Sequence, residues 1–205
     1  MKLKPLMAAA LILAAAAGPG LAAQSRFSFA IQGGLAGQEE NNLGLALQGG
    51  VGFGANLGRG FSLTGEAAFW RSHSRTSFRK LYEGTLALLP VLVSVRYEFR
   101  PNAYFIPYAL AGGSYVFVRY RLGRVEAQPG VRVGQLVEGG PALHLGLGVR
   151  VPLTWKTSFF GEATYIMRRA PAETTFWGAD GALRRDAIWV NLHIVLVKFG
   201  VRFFF

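Results

Sequence analysis

Val197-Lys198-Phe199-Gly200-Val201-Arg202-Phe203-Phe204-Phe205 closes the chain. Counting back from Phe205, alternate positions read Phe, Phe, Val, Phe, Val, while the positions between them are Phe204, Arg202, Gly200 and Lys198. Successive side chains of a strand face opposite sides. One face of this segment is therefore wholly apolar, and the other carries two cations and a glycine. In water such a terminal strand would need a core to cover its aromatics. A transmembrane barrel supplies that cover, with lipid outside and a polar lumen inside.

Seven further segments repeat the alternation. The first runs from about Arg26 to Ala36, with Phe27, Phe29, Ile31 and Leu35 on one face. In the second, about Leu43 to Asn56, Leu43, Leu45, Leu47, Val51, Phe53 and Ala55 oppose Gly44, Gln48, Gly50, Gly52 and Gly54. Strands three to seven follow at about 61–70, 83–99, 104–120, 141–153 and 159–168, and the eighth closes the chain. Short connections near 37–42, 57–60, 100–103 and 154–158 alternate with long basic loops near 71–82, 121–139 and 169–187. Short periplasmic turns and longer surface loops are the plan of a small outer-membrane barrel. The pattern predicts an all-β fold, an eight-stranded antiparallel up-and-down transmembrane β-barrel. At residues 188–196 the parity is awkward, because Asn191 and His193 share the outward parity of Phe205. Either a bulge near Ile194 or Val195 turns them inward, or they lie above the bilayer.

The N-terminus points to export. Lys2 and Lys4 precede an apolar run from Leu6 to Ala17, and small residues follow up to Ala22-Ala23. This is the pattern of a secretory signal peptide, assigned to residues 1–23, which leaves 24–205 as one barrel domain. The apolar run is short of the ~20 residues that a spanning helix needs. The chain has no cysteine, hence no disulfide framework. No metal cluster, phosphate loop or cofactor motif is present, and no cofactor is expected.

Leu89-Pro90-Val91-Leu92-Val93-Ser94-Val95-Arg96-Tyr97-Glu98-Phe99, a short turn, and Pro107-Tyr108-Ala109-Leu110-Ala111-Gly112-Gly113 resemble the central hairpin of small outer-membrane β-barrel proteins, the OmpX, OmpW and OmpA-barrel kind. The resemblance spans the mature chain as a pattern and specifies the superfamily. It implies a monomer in the cell outer membrane. The final alternation, with Phe199, Val201, Phe203 and Phe205, resembles the terminal signal by which the barrel assembly machinery recognises such chains.

Parity places Glu66, Arg96, Glu98, Arg150, Glu162 and Lys198 inside the lumen. Strands three and seven each carry Gly-Glu-Ala, at 65–67 and 161–163, lifting a carboxylate to a similar height. Eight strands enclose an interior just wide enough to be filled by side chains, and buried carboxylates demand paired cations. Three acids and three bases cancel, which predicts a salt-bridged plug. A pore would show unpaired charge of one sign.

Removing Lys2 and Lys4 lowers the net charge from +11 to +9. Basic residues gather in the predicted outer loops, among them Arg71, Arg75, Arg79, Lys80, Arg119, Arg121, Arg168 and Arg169. Arginine binds phosphate bidentately, so these residues are candidates for contact with lipopolysaccharide. Export and barrel patterning argue against nucleic acid as the partner of this basic chain. An enzyme would need a nucleophile, its base and an orienting acid in mutual reach. His73 and Ser74 are adjacent and point to opposite faces of a strand. Neither His144 nor His193 acquires an inward Ser-and-acid pair by parity. A non-enzymatic surface role is expected, with contact to lipopolysaccharide or adhesion. The alternative is a narrow channel for small or apolar solutes, as in OmpW-type barrels, and less favoured is a barrel enzyme that modifies lipid A.

Overall fold

The computed structural model describes residues 26–38, 45–74, 84–99, 104–122, 132–178 and 183–205. The signal peptide assigned to residues 1–23, and Arg75, Arg79 and Lys80, lie outside them, as do the side chains of His73 and Ser74. Eleven strands follow one another: β1 (Phe27–Gln38), β2 (Ala46–Gly58), β3 (Phe61–Ser74), β4 (Gly84–Glu98), β5 (Ile106–Leu122), β6 (Arg132–Val137), β7 (Gly140–Pro152), β8 (Thr157–Met167), β9 (Arg169–Trp177), β10 (Leu183–Asn191) and β11 (Ile194–Phe204).

Eight of them close a barrel in the order β1-β11-β8-β7-β5-β4-β3-β2, and all pairings are antiparallel. Closure leaves no strand edge inside the wall, so its backbone groups are satisfied without water. The terminal segment is the closing strand. Ser28 faces Phe204 and Gln38 faces Ile194 across the seam.

The remaining strands, β6, β9 and β10, correct the sequence reading of 121–139 and 169–187 as loops. They form a three-stranded sheet in the order β10-β9-β6. β9 continues β8 after one residue, β10 leads into β11 across Leu192-His193, and β6 leads into β7 across Glu138-Gly139. The wall therefore extends past its rim on one side. Hydrogen bonds cross the interruption: Glu138 donates its N–H to Pro171 (3.1 Å) and Leu192 to Arg168 (2.9 Å). The extension escaped the sequence because its outer face mixes exposed Leu136, Leu183 and Trp189 with Glu173 and Arg185, so period-2 alternation is broken by charge. Leu183-Arg184-Arg185-Asp186 and Glu173 belong to strands all the same.

The interruption also decides the parity of 188–196. Val190, Leu192, Ile194 and Leu196 are all fully buried, so the even positions point inward throughout. No bulge turns Asn191 or His193 into the lumen. His193 instead stacks on Tyr165, with ring centroids 5.7 Å apart.

At the opposite end, the β2–β3 turn runs through three consecutive residues with positive φ, Gly58 (86°), Arg59 (54°) and Gly60 (85°). Only glycine adopts such angles without a Cβ penalty. The Asn56 side chain accepts the Gly58 N–H at 2.8 Å, and Glu98 donates to the Gly60 carbonyl at 2.8 Å. A Cβ on Gly60 would sit 2.7 Å from the Glu98 carbonyl oxygen.

Outward positions form the face that the alternation predicts. Leu47, Val51, Val91, Val93, Leu145 and Leu147 are exposed. Aromatics collect at the turn end, where Phe61 packs on Tyr97 (4.7 Å) and Tyr97 on Phe99 (5.0 Å). Such a band suits the membrane interface.

Candidate functional site in the barrel lumen

Four strands each lift one charged side chain into the lumen: Glu66 from β3, Arg96 from β4, Glu162 from β8 and Lys198 from β11. All four are at most 5% exposed. Lys198 Nζ lies 2.7 Å from Glu66 Oε2 and 2.5 Å from Glu162 Oε1. Arg96 Nη2 lies 3.1 Å from Glu162 Oε2 and 3.6 Å from Glu66 Oε1. Two carboxylates thus share two cations in a closed, neutral quartet. Buried charge is tolerable only when paired and hydrogen-bonded; additional donors serve both carboxylates, while Nε and Nη1 of Arg96 have no acceptor among the described residues. Tyr108 Oη donates to Glu162 (3.0 Å), Thr164 Oγ1 donates to Glu162 (2.7 Å) and Gln32 Nε2 to Glu66 (3.3 Å). The Arg96 guanidinium also lies over the Tyr108 ring, 4.3 Å from its centroid.

Local sequence makes the room. Gly148 on β7 is the residue against which the Tyr108 ring lies, and a Cβ there would overlap the ring. Gly52 faces Glu66 across the β2–β3 ladder. Small inward residues on β2 and β7 hold the space that long side chains from other strands occupy.

The structure divides the six predicted lumen residues. Glu66, Arg96, Glu162 and Lys198 meet in the quartet. Arg150 and Glu98 form a separate bidentate pair nearer the turn end, with Nε–Oε1 at 2.9 Å and Nη2–Oε2 at 2.6 Å. Toward the loop end the lumen is filled by apolar side chains, including Trp70, Leu86, Leu88, Val116, Ile166 and Ile194. Val118 and Tyr120 link this layer to a second cluster, Val137, Ala170, Ala172, Val190 and Leu192, on the inner face of the extension.

Several of these residues escape sequence reading. Tyr108 and Gln32 carry no charge, so a search for ion pairs passes over them. His144 gains a partner that parity does not name: its Nε2 lies 2.7 Å from the Ser94 hydroxyl, both groups buried. The pair spans β4 and β7, which do not neighbour one another in the barrel, so strand pairing cannot reveal it. Nδ1 of His144 has no partner among the described residues. Among the described residues no acid orients this histidine, and the barrel wall encloses both groups.

Of the predicted lipopolysaccharide contacts, Arg71, Arg119, Arg121 and Arg169 are exposed at the loop end. Arg168 is not. It is buried at the interruption between β8 and β9, donating to the carbonyls of Glu138 (2.6 Å) and Pro141 (3.4 Å). With β6 and β7 breaking beside it, that guanidinium bridges the two sheets. Phe199, Phe203 and Phe205 face outward, and Val201 shares their parity at lesser exposure. Among the described residues no cluster of His, Asp or Glu could hold a metal ion.

Comparison with known proteins follows the architecture. A family model described as "Outer membrane protein beta-barrel domain" matches residues 7–203. Among solved structures, the outer membrane protein OprG of Pseudomonas aeruginosa superposes with TM-score 0.67 at 16% identity, covering 91% of this chain and 100% of that one. Neisserial surface protein A gives 0.59 at 15% identity over 89% and 99%. A major outer membrane protein of Thermus thermophilus gives 0.55 at 16% identity over 87% and 99%. At these identities the likeness is one of fold. No curated protein sequence matches.

Proposed function

The chain belongs to the outer membrane protein β-barrel domain family and resides in the cell outer membrane; from that premise we propose that it is a non-enzymatic surface protein whose lumen does not conduct. The observation that carries this reading is the double closure of the lumen, a neutral charge quartet backed by a layer of buried apolar side chains. A pathway for ions would have to cross both. What remains for function is the outward end, where exposed Arg71, Arg119, Arg121 and Arg169 surround the projecting sheet. Bidentate pairing of these guanidiniums with lipopolysaccharide phosphates is the interaction their chemistry favours. Residues 1–23 act in this reading as the cleaved export signal, and the strand ending at Phe205 as the mark read by the assembly machinery.

Refolded protein in planar bilayers tests the closure. Silence is expected from preparations whose heat-modifiable gel migration proves folding. Steady single-channel conductance would overturn the non-conducting reading. Binding of lipopolysaccharide, compared with its dephosphorylated form, tests the surface role. Equal affinity for the two would exclude phosphate as the group recognised.

A further inference from the structure

Among the described residues, the quartet and the Arg150–Glu98 pair leave one lumen cation of the barrel without an acid. Arg202, on β11 one inward position past Gly200, is 5% exposed. Its guanidinium lies over the Phe160 ring, 5.2 Å from the centroid. Among the described residues it has no carboxylate partner, and its Nε has no hydrogen-bond acceptor. A buried cation without an anion is costly. The six charged residues that parity placed in the lumen are all paired.

Arg202 opens on a cavity of about 350 Å³ at the turn end of the barrel. Arg26 and Arg150 line the same cavity, together with Phe27, Phe61, Trp155 and Phe204. The one side-chain carboxylate in its lining is Glu98, already held bidentately by Arg150. Arg59 and Lys156 sit in the neighbouring turns. Basic residues thus gather at this mouth as well as in the outer loops, and this mouth faces the periplasm when short turns do.

We propose that this mouth is a binding site for a small organic anion, a phosphate monoester or carboxylate borne on an aromatic or apolar body, with Arg202 as its anchoring cation. The guanidinium fork matches a phosphate or carboxylate. Arg26 approaches from the rim as a second cation, and Trp155 and Phe204 offer apolar surface for the rest of the ligand. The site is independent of the surface role, since it lies at the other end of a filled lumen.

Calorimetry of the full refolded chain in phosphatidylcholine nanodiscs at low salt, with phenyl phosphate as probe and inorganic phosphate beside it, tests the site. One phenyl phosphate per barrel is expected, bound more tightly than inorganic phosphate. Arg202→Met should weaken it more than tenfold, and Arg26→Gln several-fold. Arg121→Gln, at the other end, should leave it unchanged. Arg26 is exposed, so its variant decides the matter even where Arg202→Met fails to fold. No binding by the unmodified protein, or binding undiminished in Arg26→Gln and in folded Arg202→Met, overturns the proposal. Repeating the titration with phosphatidylglycerol in the nanodisc identifies the source: loss of phenyl phosphate binding assigns the site to a lipid headgroup, and unchanged binding assigns it to a soluble anion.

Discussion

Lys198 on β11 and Glu66 on β3 meet at 2.7 Å inside the lumen although 132 residues separate them in the chain. Neither strand neighbours the other in the barrel. The contact therefore spans the lumen, and with Glu162 and Arg96 it ties β3, β4, β8 and β11 together from within. Replacing Lys198 by Met should leave Arg96 as the sole cation for two buried carboxylates and destabilise the barrel by about 3–5 kcal/mol. Adding Glu66→Gln should recover part of that loss. Urea unfolding in detergent, followed by gel mobility, measures both.

Tyr108 depends on the absence of a side chain at Gly148. Gly148→Val would force the ring aside, breaking its hydrogen bond to Glu162 and its contact with Arg96. Overpacking typically costs about 1–3 kcal/mol, and the lost hydrogen bond to a charged acceptor adds to it. Tyr108→Phe should cost less than Gly148→Val in the same unfolding assay, because it removes the hydroxyl without displacing the ring.

Ion pairs outside the lumen should behave differently. Arg184 and Asp186 are 3.4 Å apart on the exposed extension, and pairs in water are worth little and are screened by salt. Arg184→Gln should change stability by no more than about 0.5 kcal/mol. Arg150→Met, which strands the partly buried Glu98, should be plainly destabilising. A result in the reverse order would contradict the burial of the Arg150–Glu98 pair.

Arg168 and Arg121 separate structural from surface arginines. Arg121→Gln, combined with Arg71→Gln and Arg119→Gln, should lower lipopolysaccharide affinity severalfold with the unfolding midpoint unchanged. Arg168→Met should do the opposite. It removes the donors to the Glu138 and Pro141 carbonyls and should loosen the extension. Hydrogen exchange of β6 and β9 amides would then quicken while binding persists.

Much of the molecule was legible one residue at a time. Period-2 alternation and the apolar face of β11 require only that strand side chains alternate and that lipid covers one side, so the barrel and its strand count follow from the chain. Parity likewise puts Glu66, Arg96, Glu162 and Lys198 inside. Tertiary structure alone decided who meets whom across the lumen. Partners such as Ser94 and His144, or Lys198 and Glu66, sit on strands that are not neighbours, and the stagger that sets their heights belongs to the closed wall. It also decided the extension formed by β6, β9 and β10. Beyond the apolar band the outer face mixes apolar and charged residues, so those strands carry a broken alternation, and pairing with one another reveals them. Arg202 shows the same limit: its sequence position places it inside, while its lack of a partner depends on where the carboxylates of the barrel finally lie.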